Sequence, residues 1–476
     1  MENKNINTTQ ALSEGINDFS DKKRGGFTGK IGFVLAAAGS AVGLGNLWRF
    51  PYLAAQYGGG IFVLSYVLLA LFFGLTLLML EIAIGRHTGK SVIGAFANLN
   101  KKFKWFGYVC VIVPIIIVPY YCVIGGWVIK YACSYLVGSS GLVAGAGEVN
   151  TQNFFMNFIS SPYQPLLFFL FFALITVVIV GFGVQKGIEK MSKILMPALA
   201  VIALFLMIYV VCQPGALKGV EYFFVPDFSK FSFKTVLGAL GQLFYSLSIG
   251  MCIMITYGSY MKKSVNIKSS SIQIALFDSL FAVVAGLIVI PAVFAFTSNP
   301  EQVLENNGAF LMFVQITNIF NSIPLGRVIG IIFFVLVLFA AITSSVSLVE
   351  SIVAVLCEDG RMKRVTACSI VFGVILVLGT LSSLGFGVLS DVSITFNGKA
   401  LSILDIFDFL ANNILMPVVA IITCVIAGWF IEKDIIPKEI GIDKSKGLTT
   451  YFNVIVKFVA PICILLILIS GLVIKI

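Results

Sequence analysis

Polar residues fill positions 1–26, and from there apolar runs alternate with short polar connections. The runs fall near 30–53, 59–85, 105–134, 165–184, 191–213, 235–261, 271–297, 327–357, 366–385, 402–431 and 450–474. Each is long enough for a helix to cross hydrocarbon, which takes roughly 20 residues. They are continuous, not the alternating ten-residue stretches of a transmembrane barrel. The pattern predicts an all-α polytopic membrane protein with eleven transmembrane helices. Residues 1–26 lack the apolar stretch of a signal peptide and are expected to form a flexible cytosolic tail.

Two runs are interrupted. The first contains Gly39-Ser40-Ala41-Val42-Gly43-Leu44-Gly45-Asn46, followed by Arg49 and Pro51. Each glycine weakens a helix by about 1 kcal/mol. The sixth contains Gln242-Leu243-Phe244-Tyr245-Ser246-Leu247-Ser248-Ile249-Gly250. The first run heads a set of five and the sixth heads the next five. Halves with an odd number of spans have opposite orientation, so paired breaks predict a 5+5 inverted repeat with a midplane site. The expected division is 27–213 for helices one to five and 214–431 for helices six to ten. Residues 432–476 then hold a cytosolic connection and helix eleven.

Composition agrees with this class. Of 476 residues, 59% are hydrophobic and 11% charged, against about 25% charged in soluble domains. An ordinary soluble enzyme, a disordered chain and a disulfide-stapled secreted domain are excluded. The net charge of +10 encodes topology and not nucleic-acid binding. With the N-terminus cytosolic, 23 of the 32 Lys+Arg fall in the tail and the even-numbered connections, six on the other side and three within spans. This asymmetry predicts a cytosolic N-terminus and an extracellular C-terminus in a multi-pass cell-membrane protein.

An unwound turn inside a membrane frees backbone groups that need partners. Carbonyl ends attract cations and helix N-termini attract anions. Asp278, Thr343-Ser344-Ser345 and Tyr121 lie in other apolar runs and are candidates to complete such a site. An ionisable residue in a span is functional by default. The nine cysteines include no C-x-x-C pair, and His87 is the one histidine, so metal, redox and triad chemistry have no support. Gly85-Arg86-His87-Thr88-Gly89-Lys90-Ser91 imitates a phosphate loop, but the glycine spacing is one residue short and no strand precedes it. A channel fits one chain with paired helix breaks poorly. A substrate-binding sensor on a transporter fold stays open as an alternative.

GSAVGLGNLWRFPYLAAQYGGG (39–60), GQLFYSLSIG (241–250) and FAAITSSVS (339–347) closely resemble signatures of the neurotransmitter:sodium symporter family, bacterial amino-acid branch. The resemblance implies the LeuT-type fold and sodium-coupled amino-acid symport by alternating access, with no enzymatic activity. It implies two sodium sites. The first would use Ala41, Asn46, Ser246 and Asp278; the second Gly39, Val42, Ala340, Thr343 and Ser344. All-oxygen ligands suit a hard cation. The substrate would lie among Ser40, Ala41, Gly43, Leu44, Gly45, Ile117, Tyr121, Tyr245, Ser246, Ser248, Met251, Cys252, Ser345 and Leu348. Arg49 and Asp408 would form the extracellular gate, with Tyr121 and Tyr245 as lid. Arg24, Tyr260 and either Glu358 or Asp359 would close the cytosolic side.

Further expectations follow from the resemblance. Monoamine transporters carry Asp at the position of Gly43; glycine leaves that space empty, so the substrate should bring its own carboxylate. Chloride-dependent members have neutral residues at the positions of Asp278 and Ala282. Asp278 supplies a fixed carboxylate, which implies chloride independence, although Tyr66, Gln242 and Ser246 still match chloride-site positions. Met251 in place of a common Phe favours a bulky hydrophobic or aromatic amino acid. Tyr245 departs from the usual Phe. Gly187 and Pro197 carry a G-x9-P spacing at which some relatives unwind the fifth helix.

Overall fold

The computed structural model describes residues 25–144, 149–304, 308–396 and 399–473. Arg24 and nearly all of the expected tail therefore lie outside the described residues. Among those described, nine continuous helices are long and apolar enough to cross a membrane: Gly60–Thr88, Lys101–Val137, Gln164–Gly181, Val184–Val211, Ile267–Phe296, Gly326–Leu356, Arg364–Leu384, Ile403–Phe430 and Lys446–Leu472. Two further spans are broken. Lys30–Ala41 and Gly45–Gln56 meet at a bend of 51°. Phe233–Ser246 and Ile253–Ser259 flank a non-helical stretch at 247–252. With the pair at 233–259 counted as one span, these are the first and sixth of eleven in chain order among the described residues.

The breaks have local causes. In the sixth span Ser248, Gly250 and Cys252 all have positive φ (55°, 75° and 66°), a conformation that costs an L-residue about 1–2 kcal/mol. In the first span, Gly45 lies flat against the Tyr245 ring, where a Cβ would come within 2.5 Å of Cε1. The two breaks can therefore approach only because one side offers bare backbone.

The third and eighth spans form the centre, with 78% and 67% of their most apolar stretches buried; the eleventh, at 22%, sits on the rim. The third packs on the fourth, eighth and ninth, and the first half of the first span packs on the fifth, seventh and eighth. The second half of the sixth packs on the second. Gly85 of the imitation phosphate loop belongs to this contact: it lies within a helix against the Ile255 carbonyl. Pro114 and Pro119 are absorbed without ending the third helix. Connections carry short helices, including Thr151–Ser160, Ala216–Phe224 and Ile435–Ile440, and an antiparallel hairpin pairing Ile394–Phe396 with Lys399–Leu401.

The G-x9-P spacing of the fifth span falls in helix. Val184–Glu189 forms a π-helical turn continuous with the helix Lys190–Val211, and Pro197 lies inside that helix. Gly187 packs beneath the Ile179 carbonyl. The G-x9-P stretch is wound throughout.

Candidate functional site

The chain stops being helical at Ala41 and Ser246, so carbonyls there lose their helical donors. Side chains from neighbouring spans take some of them up. Gln242 Nε2 donates at 3.2 Å to the Gly45 carbonyl, which also accepts from the Phe50 N–H where the first span resumes. Ser248 Oγ donates to the Ser40 carbonyl at 3.3 Å and lies 3.2 Å from Ser40 Oγ. These contacts tie the two breaks together.

Asp278 of the seventh span is fully buried. Its Oδ1 accepts from Asn46 Nδ2 at 2.8 Å and from Ser246 Oγ at 2.7 Å, and its Oδ2 accepts from Tyr66 OH at 3.0 Å. Ser246 Oγ also approaches Asn46 Oδ1 at 3.3 Å. Three donors converge on one carboxylate, which is the arrangement that satisfies its charged form. Tyr66, a chloride-position match in the sequence, thus serves as a donor to Asp278.

The remaining oxygens face one another across the first and eighth spans. Ser344 Oγ lies 3.3 Å from the Gly39 carbonyl and 3.4 Å from that of Val42. Thr343 Oγ1 lies 3.0 Å from the Ala340 carbonyl. Gly39 permits this approach: a Cβ there would sit 3.2 Å from Thr343 Cβ.

Between the breaks lies a narrow cavity. Ser40, Ala41, Gly43, Leu44, Gly45, Ile117, Tyr121, Tyr245, Ser248, Met251 and Leu348 line it, joined by Asn46, Ser344 and Ile253. Three expected residues do not. Ser246 turns to Asp278. Cys252 donates its thiol to the Cys110 carbonyl at 3.0 Å. Ser345 Oγ pairs with Thr176 Oγ1 at 3.0 Å, on the side of the fourth span. Gly43 also departs from expectation: the space beside it is filled, since a Cβ would meet Ser344 Oγ at 2.7 Å and Tyr121 OH at 3.2 Å. Tyr121 OH accepts from the Leu44 N–H at 3.5 Å.

The two ends of the cavity differ. Among the described residues Arg49 forms no ion pair with Asp408. Its guanidinium lies over the Tyr245 ring at 5.3 Å, while Asp408 accepts from Asn412 Nδ2 at 2.6 Å. At the basic end, Tyr260 OH donates to Glu350 Oε1 at 2.7 Å, and Arg364 pairs with both Glu350 oxygens. The acid that meets Tyr260 is therefore Glu350, inside the eighth span. Glu358 accepts from Ser91, and Asp359 pairs with Lys90; both sit beyond the helix end at Leu356, more than two turns along from Glu350. The first residues of the described chain are pinned here as well. Phe27 N–H donates to the Tyr260 carbonyl at 3.1 Å, and Thr28 N–H donates to Glu189 Oε2 at 2.9 Å. Nearby, Glu439 joins Arg86 and Lys263 at 2.7 and 2.9 Å. Burial alone would raise its carboxyl, but Lys263 and Arg86 outweigh burial and hold it below its ordinary value of 4.5.

Helix breaks of this kind, deep in a bundle of apolar spans, are the architecture of secondary transporters. The sequence pattern of the sodium:neurotransmitter symporter family matches residues 24–153 and 157–475. YhdH, an uncharacterized sodium-dependent transporter of Bacillus subtilis, is 35% identical over 95% of this chain and 98% of its own length. An uncharacterized sodium-dependent transporter of Haemophilus influenzae is 33% identical over 95% and 99%. The crystal structure of MhsT in complex with L-phenylalanine matches with TM-score 0.84 and 36% identity, covering 94% of this chain and 100% of that one. The chain belongs to the sodium:neurotransmitter symporter family. It is a multi-pass, sodium-dependent membrane transporter of the LeuT-type fold and not an enzyme.

Proposed function

We propose that this transporter couples inward sodium flow to uptake of a bulky hydrophobic or aromatic amino acid, without chloride. The observation that carries this reading is Asp278: a buried carboxylate held by Asn46, Ser246 and Tyr66, of which Asn46 also lines the largely apolar cavity. One sodium ion would sit among Asp278, Asn46, Ser246 and the Ala41 carbonyl, with the substrate carboxylate completing it. A second would sit among the carbonyls of Gly39, Val42 and Ala340 and the hydroxyls of Thr343 and Ser344. A fixed carboxylate beside the first ion removes the need for a mobile anion. The apolar walls at Ile117, Met251, Ile253 and Leu348 suit a large side chain, and the L-phenylalanine bound in MhsT supports that size class.

Arg49, Asp408, Tyr121 and Tyr245 form the gate at one end. Tyr260, Glu350 and Arg364, with the pinned segment at 25–28, form the gate at the other. The basic face is cytosolic, which puts the N-terminus inside and the C-terminus outside. One charge crossing 100 mV yields about 2.3 kcal/mol, and a tenfold sodium gradient about 1.4 kcal/mol per ion. Two ions carried with a zwitterion supply about 7 kcal/mol, enough for accumulation on the order of 10⁵-fold.

Uptake of a radiolabelled amino-acid panel into proteoliposomes, with an imposed sodium gradient and gluconate replacing chloride, tests this. Phenylalanine-sized substrates should be driven by sodium in both salts. Binding without flux would convert the protein into a sensor, and sodium-independent flux would overturn the coupling.

A further inference from the structure

Glu81 lies in the second span, and its side chain is buried among the second, third, sixth and tenth spans, away from the oxygens discussed above. It is 3% exposed. Its Oε1 accepts from the Gly250 N–H at 2.7 Å, within the break of the sixth span. Its Oε2 is buried and has no hydrogen-bond partner among the described residues. The ionisable groups that face it are thiols: Cys110 of the third span and Cys424 of the tenth. Cys252, in the same break, is turned to the Cys110 carbonyl. The nearest basic residues along its own helix, Arg86 and His87, are engaged with Glu439 at the basic face.

The contrast with Asp278 is chemical. Asp278 receives three donors on its two oxygens. Among the described residues Glu81 receives one and faces no cation, only thiols. A carboxylate left in that state inside a membrane is expensive, whereas the neutral acid costs far less. The neutral acid still offers a carbonyl oxygen to Gly250 N–H, a group that the broken helix must satisfy somewhere.

We propose that Glu81 is a proton-binding positioning residue: the protonated carboxyl accepts from the Gly250 N–H while buried in the closed break of the sixth span, and loss of that proton makes the buried arrangement costly and favours opening. Proton occupancy at Glu81 is thereby linked to the movement of the sixth span that transport requires. The inference rests on the transport reading for its kinetic consequence but not for its protonation state. Uptake falls as pH rises, because ionisation makes the closed break costly.

Two measurements on the purified full-length protein test it. The first is an infrared difference spectrum between wild type and Glu81→Gln. A carbonyl-stretch band of a protonated carboxyl at neutral pH, present only in wild type, is expected; its absence overturns the proposal even if no substrate is ever transported. The second is the pH profile of sodium-driven uptake. Glu81→Gln, which mimics the neutral acid, should keep uptake within about twofold of wild type at neutral pH and remove the alkaline decline. Glu81→Ala removes the acceptor for Gly250 and should lose about tenfold at every pH, the scale of one orphaned buried amide. Glutamine failing as badly as alanine, or keeping the wild-type alkaline decline, contradicts the proposal. Elution as a monodisperse species shows that each variant is folded.

Discussion

At the basic end of the cavity, Glu350 is fully buried and takes contacts from Tyr260 and from the Arg364 guanidinium. At the opposite end, Arg49 and Asp408 stay apart, each satisfied by a different neighbour: the Tyr245 ring and the Asn412 amide. One end is shut by direct contact between opposite charges and by a backbone segment pinned to Glu189. The other has its two charges in place without the bond between them. The difference teaches where the work of opening falls. Exposing the cavity to the basic side means separating a buried ion pair and detaching residues 25–28. Exposing it to the opposite side breaks no ion pair between Arg49 and Asp408. Ion and substrate binding can shift this balance only through contacts that differ between the two states.

The largest effect is expected at Glu350. Removing one partner of a buried ion pair costs about 3–5 kcal/mol, because the other charge is left uncompensated. Glu350→Ala should therefore abolish closure at the basic end. Amide hydrogen exchange of the first span should accelerate and uptake should collapse. Unchanged exchange in that segment would remove Glu350 from the gate. A smaller effect is expected at Arg49, whose cation–π contact with Tyr245 is worth about 0.5–2 kcal/mol. Arg49→Gln should speed escape of bound radioligand by roughly three- to thirtyfold, the rate equivalent of that energy. An unaltered escape rate would mean that Tyr245 caps the cavity alone.

Much of this architecture is legible in the sequence. Glycines and hydroxyls at 39–46 and 242–250 mark both broken spans, and an aspartate in an apolar run marks Asp278. The rest escaped for separable reasons. Glu350 and Glu81 carry the same signal as Asp278, an acid inside an apolar run, but the motif resemblance places the cytosolic acid past the end of the eighth span, at Glu358 or Asp359. Ile253 is an ordinary apolar residue, and only the left-handed Cys252 before it turns it toward the cavity. The directions of Cys252 and Ser345 depend on partners more than a hundred residues away, Cys110 and Thr176. The G-x9-P spacing of the fifth span does not by itself fix whether the stretch is wound, and here Val184–Val211 is helical throughout. Gly43 signals the absence of an acid, but not that Ser344 and Tyr121 fill the space.

The central claim is that the Asp278 carboxylate supplies the negative charge at the ion site. The direct test is sodium-driven phenylalanine uptake by wild type and Asp278→Asn, each in chloride and in gluconate. The account predicts equal wild-type uptake in both salts, and uptake by Asp278→Asn that is lost in gluconate and restored, at most in part, by chloride. Wild-type uptake that stops in gluconate, or an asparagine variant that runs equally well there, would contradict it.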